Sequence, residues 1–157
     1  VTVDAGAHSC DCLSQADAAL DDDEPDAGLA LLTLVLGCCE PADAVLARVK
    51  RGLRSRHPQV RASALQSLGH FGRLYELIDA DSVRLLRRAL RDRTVIHGVL
   101  IRSYAQNAAD DVGMFVPRWL LPRWLRRQCA GPRRGSRVVR ARRSRLRTAS
   151  GLESGAA

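Results

Sequence analysis

His57-Pro58 followed by Val60, Ala64, Leu68 and Phe71 constrains this chain more than any other stretch. Proline suits the first turn of a helix, where its missing N–H leaves no bond unmade. The apolar residues behind it recur at helical spacing, while Arg61 points to a different face. A second amphipathic pattern, Val45, Leu46, Val49 and Leu53, ends just before the same dipeptide. The spacing therefore predicts two consecutive helices that hinge at His57-Pro58 and bury aliphatic stripes against each other and their neighbours.

The rest of the chain fits an all-α reading. Aromatic residues make up only 4% of it, so the core has to be built from Leu, Val and Ala. At 157 residues one domain with a sizeable core is expected. Helices are predicted near residues 11–20, 26–39, 42–54 and 58–71, with Gly69 or Gly72 as the stop of the fourth. The second, apolar almost all round, is expected to be the central buried helix. A linker over 75–80 packs down through Leu77 and Ile78, and Asp79 or Asp81 caps a fifth helix reaching about Arg91. For 95–104 the β-branched run and Gly98 leave a strand open, but helix is preferred because Ala108, Val112 and Phe115 resume helical spacing. The expected division is a flexible lead-in at 1–10, a helical repeat domain at 11–116, and an Arg-rich, largely disordered tail at 117–157, whose Trp–Leu part docks on the last helices.

The formal charge of +8 hides three unlike segments. Residues 1–47 hold ten acidic and no basic side chains, residues 48–117 hold 13 basic and six acidic, and residues 118–157 hold twelve arginines and one acid. Opposite segments of this kind attract one another within the reach that salt permits, roughly 10 Å. Five cysteines with no visible leader point to free thiols and a cytoplasmic setting. The longest apolar run, 28–39, is far short of the roughly 20 residues a bilayer span needs.

Residues 42–116 resemble short, single-domain bacterial HEAT-like repeat proteins, which are α-solenoids of antiparallel helical hairpins. The match lies in Pro58-x-Val60-Arg61-x-x-Ala64-Leu65-x-x-Leu68-Gly69-His70, then Ile78-Asp79, Leu85-Leu86 with Leu90-x-Asp92, and Ala108 to Phe115. The resemblance implies a non-enzymatic protein-binding module, in its sharpest form an immunity or adaptor protein. Two departures are visible. The acidic residue usual in the loop within a HEAT repeat is missing from 55–57, which leaves Arg61 without a local partner. Residues 93–105 are also longer and more irregular than a plain repeat turn.

Candidate contact residues follow from charge. Arg84, Arg87, Arg88 and Arg91 stand at i, i+3, i+4 and i+7, one face of a helix. With Arg54 and Arg61 they are expected to meet an acidic protein surface. Trp119, Trp124, Arg126 and Arg127 are candidate tail contacts, Arg for phosphates and Trp for stacking, so nucleic acid is the alternative partner. His8-x-Cys10-x-Cys12 lacks a fourth ligand at a credible spacing, and Cys38-Cys39 is expected to pack in the core. No nucleophile motif, phosphate-binding glycine loop or zinc-protease signature is present. No catalytic residue, metal or cofactor is expected.

Overall fold

The computed structural model describes residues 11–22, 25–37 and 40–129. Within them the chain forms α1 (Cys12–Asp21), α2 (Ala27–Gly37), α3 (Ala42–Leu53), α4 (Pro58–Tyr75), α5 (Ala80–Ala89), β1 (Val95–Ile96), β2 (Val99–Leu100), α6 (Ile101–Phe115) and α7 (Arg123–Cys129). The hinge is where the sequence places it. Pro58 occupies the first turn of α4, and the Ser55 hydroxyl accepts a bond from the His57 N–H at 3.0 Å, which turns the chain between α3 and α4. Val60, Ala64, Leu65, Leu68 and Phe71 are all buried.

The helix at the centre is α4, which packs against α2, α3 and α6. The expectation that α2 would hold this place is corrected: Leu31, Leu34 and Val35 are buried, but Leu29 is 69% and Leu36 56% exposed. Uniform hydrophobicity does not let one helix touch three others closely. Small residues on several faces do, and α4 carries Ala62, Ala64, Ser67, Gly69 and Gly72 among its buried positions. The two glycines do not stop the helix as expected. A Cβ at Gly69 would lie 3.4 Å from the Ala108 backbone, and one at Gly72 would lie 3.1 Å from a Val112 methyl, so both mark the line where α6 lies against α4. Since Gly69 meets Ala108 and Gly72 meets Val112, the two helices run in the same direction. The chain instead leaves α4 at Glu76, which adopts a left-handed φ of 51°.

From there Ile78 is buried and Leu77 stays 39% exposed, so half of the linker packs down. Asp79 caps α5, its carboxylate accepting from the Ser82 N–H at 2.7 Å. Between α5 and α6 the preference for helix is overturned. Val95 pairs with Leu100 and Ile96 with Val99 in a two-residue antiparallel hairpin. Its turn residues, His97 at φ 48° and Gly98 at φ 80°, both have positive φ, as the type I′ turn that matches strand twist requires. β-branched Val and Ile on either side favour the strands over a helix.

Packing also continues past 116. Leu121 and Leu125 are buried, Trp124 packs against the core and α7 lies against α6, so the Trp–Leu part docks as expected except at Trp119, which stays exposed. Expectations for 1–10, for Cys38-Cys39 and for 130–157 fall outside the described residues. Cys12 is buried and disulfide-bonded, so the expectation of free thiols is corrected at this position. Disulfides persist in oxidising compartments, and the cytoplasmic expectation loses its thiol support there. No helix among the described residues is long and apolar enough to cross a membrane.

Candidate functional site

Charge organises the face built by α1, α3 and α5. From α3, Arg48 donates to Asp17 at 2.6 Å, while Arg51 bonds Asp17 at 2.8 Å and also Asp21. Towards α5, Lys50 reaches Asp79 at 2.6 Å, and Arg54 bonds Asp81. The acidic N-terminal segment thus meets the basic middle of the chain, as its charge pattern implies. Exposed pairs of this kind contribute only about 0–1 kcal/mol each, but they tie α3 to a neighbour on either side.

These bonds shift the carboxylates. Hydrogen bonding from Arg48 holds Asp17 below the ordinary 3.8 against the opposing effect of burial. Arg54, then Arg84, does the same to Asp81. Burial pushes Asp79 and Asp92 up, but the bonds to Lys50 and Ser82, and to Thr94 and Arg61, outweigh it and leave both low. A folded pKa below the unfolded value adds stability that is present above the unfolded pKa and lost as pH falls through the folded one. The melting temperature is therefore expected to be flat from about pH 7 to 5 and to fall below about pH 4. Asp17→Asn should flatten part of that acid slope in thermal melts followed by circular dichroism, and an unchanged slope would rule Asp17 out as a contributor.

The stripe of four arginines does not act as one surface. Arg84 bonds Asp81 at 3.1 Å, and the Arg87 guanidinium lies 5.7 Å from the centre of the Trp124 ring on α7. Arg88 and Arg91 instead line a cleft of about 770 Å³, together with Arg54, Arg56 and Arg61. It opens between the α3–α4 turn and the start of α4 on one side and the end of α5 on the other. Its apolar part comes from Leu53, Leu65, Leu85, Ala89 and Ile101.

Arg61 is fixed in one wall of this cleft. Its Nη1 donates to the Ser55 and Arg56 carbonyls at 3.1 and 3.0 Å, and its Nη2 to the Asp92 carboxylate at 3.2 Å. The partner that residues 55–57 lack is thus supplied from 31 positions on. Arg61 is therefore a positioning residue that shapes the turn, whereas Arg88 and Arg91 are exposed and form no ion pair with any described residue. Among the described residues of the lining, Asp92 is the one acidic side chain, against five arginines. Sequence reasoning missed Arg56 and the aliphatic floor, since nothing local marks residues that come together only in the folded chain.

The tail candidates are dispersed. Trp119 is 79% exposed, Trp124 is half-buried beneath Arg87, Arg126 is half-buried and Arg127 exposed. Among the described residues no three His, Cys, Asp or Glu side chains are grouped to hold a metal. Compared with known proteins, the chain matches no family model, no curated protein and no solved structure.

Proposed function

We propose that this chain is a non-enzymatic binding module of HEAT-like build whose arginine cleft receives an acidic protein partner. The alternation of its helices supports that build: α4 neighbours α2 and α6, while α3 neighbours α1 and α5, as the two rows of a short solenoid would require. One observation carries the functional reading. Among the described residues, Arg88 and Arg91 stand in a cleft lined by five arginines and a single carboxylate and form no ion pair. Like charges gathered in a concave site repel one another, and a ligand bearing carboxylates relieves that repulsion and is steered towards it. An immunity or adaptor role is the sharpest form of this reading.

The test is capture of a stoichiometric partner by the full chain, followed by titration of that purified partner against Arg88→Glu/Arg91→Glu. Both side chains are exposed, so stability should change by no more than about 0.5 kcal/mol per site. Affinity should fall by about 100-fold or more, as expected when charges that face a partner are reversed. Unchanged affinity would remove the cleft from the reading.

Nucleic acid is a second reading, favoured by the exposure of Trp119 beside Arg118. It predicts affinity for a strand that falls steeply with added salt and is lost in Trp119→Ala with Arg118→Ala.

A further inference from the structure

We infer that the cleft takes an extended acidic peptide segment, and that this segment lowers one aliphatic side chain onto the cleft floor. The inference rests on the acidic-partner reading and specifies what the partner presents. Leu65 and Ile101 are fully buried, and Leu53 nearly so, beneath a rim of arginines; Leu85 and Ala89 close the same apolar surface from α5. Those three have almost no exposed surface, so the apolar ground open to a ligand is Leu85 and Ala89, both only partly buried. A side chain inserted between the walls covers these two, a contribution to binding less sensitive to salt than the ion pairs at the rim.

The shape favours a segment over a folded face. A volume of about 770 Å³ lies in the range of clefts that enclose most of a ligand. A folded surface would bring its carboxylates to the rim on a convex front, while an extended chain places a side chain inside and acids on either flank. Arg54 already bonds Asp81 and Arg61 bonds Asp92, so the carboxylates of the segment are met first by Arg88 and Arg91, three residues apart on the other wall. Arg61 is already fixed by Asp92 and two carbonyls, so one wall is ordered before the ligand arrives.

The lining also disfavours a nucleic-acid strand. Strand-binding grooves offer aromatic platforms on which bases stack, and no aromatic side chain lines this cleft. The exposed Trp119 and the Arg87–Trp124 pair lie outside it.

The experiment uses the full chain and three fluorescein-labelled probes, read by anisotropy. One probe is a nine-residue peptide with a central leucine flanked on each side by four Asp or Glu residues. The second replaces that leucine with serine, and the third is a nine-nucleotide thymidine strand. The leucine peptide should bind about tenfold or more tighter than the serine peptide, as burial of one such side chain implies. Arg88→Glu/Arg91→Glu should abolish binding of both peptides. Leu85→Ala, and separately Leu85→Ser, should erase most of the leucine advantage while leaving the serine peptide within about twofold. Circular dichroism of each variant verifies that it is folded. Equal binding of the two peptides, still dependent on Arg88 and Arg91, would overturn the anchor and leave the acidic-partner reading standing. Binding of the strand alone would overturn both.

Discussion

Phe71→Ala is expected to lower the unfolding free energy by about 3–5 kcal/mol, the largest loss from any single truncation in this core. Phe71 is fully buried on α4, and its ring stacks on Tyr75 with centroids 4.5 Å apart and planes 18° from parallel. Few large side chains share its work, because aromatics are so scarce in the chain. The surrounding Leu and Val residues cannot collapse into the space without moving α6, which touches α4 through Gly69 and Gly72. Domains of this kind hold only about 5–15 kcal/mol in total, so the loss removes roughly a fifth or more. Thermal melts should show a fall on the order of 10 °C, with Phe71→Leu recovering most of it. A fall of less than about 3 °C would mean that the ring is not central to the packing.

Gly52→Val should cost about 1–3 kcal/mol, although helix propensity alone favours alanine over glycine by about 1 kcal/mol and valine by a smaller margin. Steric contact decides the sign. A Cβ at Gly52 would stand 2.4 Å from a Leu31 methyl on α2 and 3.0 Å from the Ala64 Cβ on α4. Leu31 and Ala64 are fully buried, so neither can give way without disturbing the junction of α2, α3 and α4. Gly37 supplies the contrast: nothing lies within 4 Å of its Cβ position, and Gly37→Ala should be neutral or slightly stabilising. Chemical denaturation of both variants checks the pair, and equal effects would show that propensity and not contact governs Gly52.

The two glycines that sequence reasoning assigned as helix stops show where such reasoning ends. A glycine looks the same in sequence whether it frees the backbone for a left-handed turn or removes a Cβ from a crowded contact. Only the facing residues, Ala108 and Val112, tell the cases apart. The hinge at His57-Pro58 and the stripe Val60, Ala64, Leu68, Phe71 were legible because both are local: one is a ring constraint, the other a repeat of 3.6 residues. The hairpin at 95–100 was misjudged because His97-Gly98 is a less familiar type I′ pair than Asn-Gly, although histidine also tolerates positive φ.

Of the candidate site, the sequence showed which residues were cationic but not which were already engaged. Arg54 meets Asp81 and Arg61 meets Asp92, partners 27 and 31 positions away. Arg84 and Arg87 are drawn off by Asp81 and Trp124. No periodicity encodes such distant pairings, so helical spacing overstated the stripe and gave no hint of the aliphatic floor under it.

The contacts that join α3 to α1 and to α5 include carboxylates, while those that join α4 to α6 run through methyl groups and glycines, so dissolved ions act on the two sets unequally. Electrolyte shields the first and, if anything, tightens the second. The joint between α3 and α5, held by Lys50–Asp79 and Arg54–Asp81, is therefore the first that salt loosens, and Arg54 stands at the mouth of the cleft beside Arg88.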